Sequence, residues 1–511
     1  VLGCDPSTRT IGEIEDNLST TTARGSGGQT GGQRAHTAKV TAFAIAAAVG
    51  GFLFGFDSSV INGAEAAITK DFSLSSAGSG FAVASALIGC AFGAYFAGRV
   101  SDRWGRTRVM FFAAILFFIS SIAVGLSTGT VDFVIWRLVG GLGIGTASVI
   151  APAYISEVAP KQIRGTLASF QQLAITVGIF AALLSDQLIA ASAGNNPANT
   201  LWFGAEAWRW MFFVGVIPSV IYGILALVLP ESPRYLAAKG RNDEARGVLE
   251  KIVSSDTVDM NLDEIRDGLD RESREAKGTI RGNRFGLQPI VWVGIIMAVF
   301  QQFVGINVIF YYSTTLWQAV GFKASQSFLI STISSGINLV MTFVAIWLVD
   351  RVGRRPLLIA GSAGMTVSLI MVAIAFSQSV TSSSGSPSLP GAWGPIALVF
   401  ANLFVISFSA TWGPLMWVLL GEMFPNRIRA TALGIGSAAN WIANFVVTIT
   451  FPALSHFNLA FTYSIYALFA LLSFFFVLAK IPETKGRSLE EMGTTASDAR
   501  PRASARSPRA S

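Results

Sequence analysis

The stretch SDRWGRTR, Ser101 to Arg108, returns as VDRVGRRP, Val349 to Pro356, in the second half of the chain. Two other stretches return with it. SEVAPKQIRG, Ser156 to Gly165, is matched by GEMFPNRIRA, Gly421 to Ala430, and PESPR, Pro230 to Arg234, by PETKGR, Pro482 to Arg487. In each copy the three fall after the second, fourth and sixth long apolar segment. Three matches in register make the chain two parallel repeats. Helical membrane repeats of this kind meet at a central interface, where a binding site near the bilayer midplane is expected.

The segments between the repeated stretches are membrane spans by composition. Apolar residues are 52% of the 511 and charged residues only 13%, with 38 phenylalanines. Average soluble domains carry roughly 25% charge. Many apolar runs reach the roughly 20 residues that cross a bilayer as helix. The net charge of +7 then belongs to loops and tails beside the membrane and is no signal for nucleic acid. Cys4 and Cys90 sit in a tail and an apolar run, so neither a structural disulfide nor a metal-ligand spacing is expected.

Twelve helical spans are expected, with ends good to about 4 residues: 40–62, 80–99, 109–127, 131–153, 166–190 and 210–229, then 288–312, 326–349, 356–377, 393–420, 430–452 and 460–480. Residues 1–38 read as a disordered tail, rich in Gly, Ser and Thr without a signal-peptide apolar core. Residues 39–230 form one six-helix bundle and 288–481 the other. The charged segment 231–287 joins them, and 482–511 is a basic tail. In 231–287 charges interleave with Leu and Ile, as in NDEARGVLEKIV, Asn242 to Val253. That pattern suits short amphipathic helices or a solvated tether. Arg99, Arg103, Arg106, Arg108, Lys161, Arg164, Arg351, Arg354, Arg355, Arg427 and Arg429 lie in loops on one side, against Lys70, Arg209 and Lys323 on the other. This asymmetry predicts a multi-pass cell-membrane protein with both termini and the 231–287 segment cytoplasmic.

Inside span 7 lies QQFVGINVIFYY, Gln301 to Tyr312. Amides carry donors and acceptors without charge. In hydrocarbon they are costly unless partnered, so they face the protein interior or a watery cavity. A ligand made mostly of hydroxyls needs such a surface. The competing role for intramembrane amides is to tie helices together.

Together, GRVSDRWGRTR, PESPRYL, QQFVGINVIFYY, VDRVGRRP, GPLMWVLLGEMFPNRIR and PETKGRSLEEM, in this order, resemble the sugar porter family of the major facilitator superfamily. The resemblance spans about residues 40 to 492. It implies an all-helical carrier of twelve spans in two pseudo-symmetric halves, moving a monosaccharide by alternating access without cofactor. By resemblance Gln172, Gln301, Gln302, Asn307, Asn338, Trp417 and Asn440 bind the sugar. Amides can bridge vicinal hydroxyls and an indole can cover the C–H face of a pyranose. Gln171 reads as structural, and Trp412 and Trp441 as packing or gate residues. Tyr311 and Tyr312, near the outer end of span 7, suit either an outer gate over the sugar or an interfacial aromatic belt.

Asp57, in FLFGFDSSVING, is a carboxylate within span 1 and therefore a functional candidate. Its expected partner is Arg137 near the start of span 4. From the expected span ends the two lie ~8 Å and ~9 Å from the outer surface at 1.5 Å rise per residue. They meet if spans 1 and 4 are neighbours, as the resemblance implies. A carboxylate beside a guanidinium stays ionised, whereas a desolvated one without it takes a proton, so relative motion of the pair could couple a proton to the sugar. The competing role is a permanent ion pair that fixes packing. Facilitators of the family tend to have an amide at this position. Some proton-coupled members also carry an acid in span 6 where this chain has Gly215, so coupling here must work without it.

Asp102, Arg103, Arg106, Glu157, Arg164 and Glu231 recur as Asp350, Arg351, Arg354, Glu422, Arg429 and Glu483. All fall at inner span ends, where carboxylate–guanidinium pairs crossing between the halves would form a cytoplasmic gate. Basic loops that only set topology are the alternative. Gly98 and Gly105 suit tight turns. The expectation is a proton-coupled monosaccharide importer, with a passive facilitator or a transporter-like sugar sensor as rivals. An enzyme is not expected: the only histidines are His36 and His456, and no phosphate-binding GxxxxGK[ST] loop exists.

Overall fold

The computed structural model describes residues 26–159, 164–274, 280–282, 286–381, 387–424 and 428–484. Twelve helices in it are long and apolar enough to cross a membrane. In the first half they are Ser26–Asp71, Ser76–Trp104, Arg106–Gly125, Thr130–Val158, Arg164–Ser192 and Ala207–Val228, the last in two pieces that meet at Val214 and Gly215. In the second half, span 7 is Pro289–Phe303 followed by Ile306–Ala319, and span 10 is Trp393–Ser409 followed by Trp412–Glu422. Ala324–Val352, Arg354–Ser377, Arg429–Phe457 and Leu459–Lys480 are spans 8, 9, 11 and 12.

The helices outrun the apolar runs that announce them. Span 1 begins at Ser26, inside the segment expected to be a disordered tail, and continues to Asp71 rather than stopping near residue 62. Hydropathy marks only the hydrocarbon-sized part of a helix. Once nucleated, a helix extends at little cost through polar residues on either side.

Between the halves, Pro233–Ala238, Asn242–Ile252 and Val258–Arg274 are short helices. Ala245, Val248, Leu249 and Ile252 are buried on one face of the second, which is the amphipathic arrangement rather than a solvated tether. This segment packs on the start of span 1, where the His36 ring lies 3.4 Å from the Lys251 carbonyl.

Within the first half, span 2 packs on span 4, span 1 on span 5 and span 3 on span 4. In the second half span 9 packs on spans 10 and 12, and span 7 on span 11. The halves meet through span 1 with span 7, span 2 with span 11, and span 5 with span 8. Spans 2 and 4 touch backbone to backbone. A Cβ on Gly141 would lie 2.1 Å from the Ala86 carbonyl oxygen, and one on Gly145 2.1 Å from that of Cys90. Small residues at such crossings let membrane helices pack without a hydrophobic driving force.

Gly105 does turn the chain, with φ +98°. Gly98 does not: it lies within the span 2 helix, and a Cβ there would meet nothing within 4 Å. Gly141→Ala is therefore expected to destabilise by about 1–3 kcal/mol through overpacking and to lower the thermal midpoint of the purified protein. Gly98→Ala, measured in parallel, is expected to leave that midpoint unchanged.

Candidate functional site

The break in span 7 builds the polar cluster. Gly305 adopts φ +82°, and a Cβ on it would strike the Tyr466 ring at 2.6 Å, so only glycine fits there. The break sets Gln301 and Gln302 at the end of one helix and Asn307 in the first turn of the next. Asn307 Nδ2 then donates to Gln302 Oε1 at 2.6 Å. From span 11, Asn440 Nδ2 donates to Gln301 Oε1 at 2.6 Å, and Gln302 Nε2 donates to Asn440 Oδ1 at 3.1 Å. Gln301 Nε2 reaches the carbonyls of Trp412 and Gly413 at 3.3 and 3.2 Å, just past the break in span 10. Four expected amides from spans 7 and 11 thus form one network beside the break in span 10. Discontinuous helices at a repeat interface are a recurring way to build carrier sites.

The other expected contacts stand apart. Asn338 is buried in span 8, where its Oδ1 accepts from Ser409 Oγ at 2.6 Å. Gln172 is half-buried on span 5. Trp417 is the exposed residue of Trp412–Glu422, whose residues 412–416, 419 and 420 are buried. Trp412 is a packing residue, fully buried with its indole N–H 2.9 Å from Ser362 Oγ. Trp441 meets Phe54 edge-on across the halves, with ring centroids 5.2 Å apart. Gln171 is buried at the crossing of spans 1 and 5, close to Gly51.

Asp57 and Arg137 meet. Arg137 Nη1 lies 2.8 Å from Asp57 Oδ1, both side chains are buried, and the guanidinium lies over the Phe212 ring at 5.9 Å. The depth of the pair differs from the expectation, because span 1 runs on to Asp71 and puts Asp57 well inside its helix. A small pocket beside the pair is lined by Phe54, Ser58, Cys90, Ile144 and Tyr311. Tyr311 of the second half thereby sits next to the ion pair of the first. Gly215 is closely packed: a Cβ would lie 2.8 Å from Ser121 Oγ and 3.0 Å from the Phe212 carbonyl oxygen, so a larger residue there requires its neighbours to shift.

On the side away from the termini the halves are sewn together. Asn62 Nδ2 donates to the Phe310 carbonyl at 3.0 Å, and Asn62 Oδ1 accepts from the Thr314 amide at 3.1 Å and from the Thr314 hydroxyl. Glu65 accepts from Ser79 and Thr69 in its own half, and from Thr315 Oγ1 of the other half at 2.6 Å. Thr332 Oγ1 donates to the Leu183 carbonyl at 3.2 Å. Tyr311 and Tyr312 are buried here, with Tyr312 donating to the Thr448 carbonyl at 3.0 Å. That burial does not suit a lipid-facing belt. The seam is shut on this far side. Asn62, Glu65 and Thr314 escaped the sequence reading because an amide, an acid and a hydroxyl near a span end look like ordinary interfacial polarity.

On the terminus side, the charged residues pair within each half, in matched fashion. Arg106 binds Glu157 in a fork at 2.9 and 3.0 Å and Asp102 at 3.1 Å. The Arg106 amide donates to Glu231 at 2.9 Å. In the second half Arg354 binds Glu422 at 3.0 Å, and the amides of Arg354 and Arg355 donate to Glu483 at 3.1 and 3.0 Å. These bonds do not cross the seam; the latch between halves is expected of the state in which the site faces the far side. Reach sets these partners: Glu157 and Glu422 end the span that follows their arginine and bind its guanidinium, while Glu231 and Glu483 accept from the first turn of that arginine's own helix. Arg103 and Arg351 are also on this side; Arg351 stacks over Trp347 at 3.9 Å. The side chains of Arg164, Asp350 and Arg429 lie outside the described residues.

Residues 43–496 match the family model described as "Sugar (and other) transporter". The chain belongs to this sugar transporter family. Its members are carriers rather than enzymes, and the fold is that of the major facilitator superfamily. The transporter is 50% identical over 447 residues to a glucose transport protein of Synechocystis, covering 87% of this chain and 95% of that one. It is 37% identical over 481 residues to the D-xylose-proton symporter of Escherichia coli, covering 88% and 94%. Among solved structures it superposes on the partially occluded inward-open xylose transporter XylE of E. coli with a TM-score of 0.75, at 35% identity over 88% of this chain and all of that one. With XylE bound to 6-bromo-6-deoxy-D-glucose the TM-score is 0.74, at 35% identity over 90% and 99%. Those near-equal scores do not distinguish states.

If the amide network holds the sugar, Gln302→Ala removes up to two ligand hydrogen bonds worth about 1 kcal/mol each. The expected result is a rise in the half-saturating sugar concentration of about tenfold or more in counterflow exchange. Ser377→Ala, at an exposed span end, is expected to leave it unchanged.

Proposed function

We propose that the transporter imports a monosaccharide of the glucose or xylose kind by alternating access, in symport with a proton. The buried Asp57–Arg137 pair at 2.8 Å carries this reading. It is the only acid–base pair among the described residues placed in the bundle interior beside the seam, and it shares a pocket with Tyr311. Relatives named as a glucose transport protein and as a D-xylose-proton symporter support the same class of substrate and the coupling.

Sugar binds to Gln172, Gln301, Gln302, Asn307, Asn338, Trp417 and Asn440, at the interface of the bundles 39–230 and 288–481. In the sugar-free network Gln301, Gln302, Asn307 and Asn440 satisfy one another. An entering hydroxyl trades an amide partner for a sugar partner, which lets the cavity stay polar without stranding donors. Tyr311 and Tyr312 act as the gate on the far side, which is the external side. The terminus side is cytoplasmic, by the excess of Arg and Lys in its loops. There, Asp102, Arg103, Arg106, Glu157, Arg164 and Glu231, with Asp350, Arg351, Arg354, Glu422, Arg429 and Glu483, act as the cytoplasmic gate. Bonds kept in both states bias neither, so the gate works through contacts that re-form between the halves when the far side opens.

Coupling follows from the pair. While Arg137 holds Asp57, the carboxylate needs no proton. When the halves rock and the guanidinium is drawn away, the desolvated carboxylate takes one. A passive facilitator is the second reading, in which the pair persists in every state and only fixes packing.

Uptake of labelled glucose and xylose into proteoliposomes under an imposed pH gradient separates the two. Accumulation above equilibrium that a protonophore abolishes is the expected outcome, and equilibration indifferent to the gradient would leave the facilitator. Asp57→Asn is expected to lose uphill accumulation while keeping sugar exchange. Unchanged accumulation in that variant would remove Asp57 from the mechanism.

A further inference from the structure

Three carboxylates are buried in the first half on or beside span 1, and they are satisfied to very different degrees. Asp57 has the Arg137 guanidinium. Glu65 accepts from three hydroxyls, those of Thr69, Ser79 and Thr315. Asp186, on span 5, is 1% exposed. Its Oδ2 accepts only from the Gly63 backbone N–H at 3.2 Å, and its Oδ1 is buried with no partner. Gly63 lies inside the span 1 helix, so its N–H also serves the helix ladder and offers the acid a shared hydrogen. Contact is intimate, since a Cβ on Gly63 would lie 2.7 Å from the Asp186 carboxyl.

The charged groups on the elements packed against span 5 are committed elsewhere. On span 1, Glu65 is held by hydroxyls, Asp57 by Arg137, and Lys70 is exposed. On span 4, Arg137 is bound to Asp57, and Asp132 accepts from the Thr128 amide. On span 6, Arg209 is bound to Glu206, to Asp71 and to the carbonyls of Gly125 and Ser127. The far-side part of span 8 against span 5 presents Thr332 to Leu183 and has no charged residue between Ala324 and Ala345. A buried carboxylate anion with one borrowed N–H and no counter-charge is not a stable arrangement, whereas a carboxylic acid is.

We propose that Asp186 is a second proton-binding site, distinct from Asp57, that is loaded when the far-side seam is shut and emptied when the seam parts. The geometry ties loading to the seam. Leu183, one turn before Asp186, carries the carbonyl that Thr332 of the other half binds. Gly63, which binds Asp186, adjoins Asn62, which grips span 7 at Phe310 and Thr314. Parting of the seam opens both flanks of the acid to water, and a hydrated carboxylate gives up its proton. The proton enters and leaves on the same side, so the site moves no net charge through the bilayer. It makes the shut seam more stable in acid and less stable as far-side pH rises. The inference uses the alternating-access reading for the parting of the seam, and not the assignment of Asp57.

The test is the ratio of shut to parted seam against far-side pH. Spin labels at Ala191 and Ser325, exposed positions on the far side of the two halves, report it in a chain carrying Cys4→Ser and Asp57→Asn. Above the ordinary carboxylate range, which ends at about pH 4, the shut-to-parted ratio is expected to fall as pH rises, by up to about tenfold per pH unit, the limit for one proton. Adding Asp186→Asn, the uncharged isostere, is expected to flatten the curve at its acid value, and adding Glu65→Gln to leave the slope in place. An unaltered slope in Asp186→Asn, or a slope abolished by Glu65→Gln alone, would overturn the proposal. A single label distance at every pH in the chain without the Asp57 and Asp186 changes would overturn the two-state reading together with it.

Discussion

A glutamate at the end of each sixth span closes each half of this protein. Glu231 accepts from the Arg106 amide and the Thr107 hydroxyl, and Glu483 from the Arg354 and Arg355 amides. A carboxylate at a helix N-terminus satisfies donors that have no partner within the helix and meets the positive end of its dipole. The preceding glycine makes this possible. At Gly105 a Cβ would lie 2.2 Å from Glu231 Oε2, and at Gly353 2.9 Å from Glu483 Oε2. The same arginine then turns its guanidinium to a second glutamate, Glu157 or Glu422. Spans 3, 4 and 6 are thereby tied at one end, and spans 9, 10 and 12 likewise.

With each half tied to itself, the freedom of the molecule is concentrated in the seam between the halves. The seam is dressed differently at its two levels. On the far side it is a row of neutral or hydroxyl-bound contacts, Asn62 with Thr314, Glu65 with Thr315, and Thr332 with Leu183. Such bonds can be exchanged for water at small net cost, which suits a contact made and broken in each cycle. At the middle lie the amides and the Asp57–Arg137 pair, where water is scarce and every unmatched group is expensive. The three interrupted spans, 6, 7 and 10, bring backbone irregularity to that level, and irregular backbone at membrane depth is tolerated only where protein or a cavity covers it.

Much of this was legible in the residues. The repeat of DRWGR and DRVGR forecast matched halves, and the matched glutamates are its structural content. The amides of QQFVGIN announced a polar site, and their number and chemistry suffice for a polyol. What the string could not convey is that Gly305 breaks the helix there, which turns Gln302 and Asn307 from residues on different faces into bonded partners. Asp186 went unread because a single acid late in a span looks like the start of a loop. Only its neighbours reveal that it is buried and almost unpartnered.

The sequence by itself determined the class, the number of spans, the twofold repeat and the kinds of group available for binding and coupling. These depend on hydropathy and on residue type, which are local quantities. The tertiary structure alone decided which groups meet. It turned the charged clusters inward on their own halves rather than across the seam, and shut the far side through Asn62 and Glu65. Those outcomes depend on contacts between helices far apart in the chain, where a shift of a few ångströms decides whether two polar groups bind each other or are left alone.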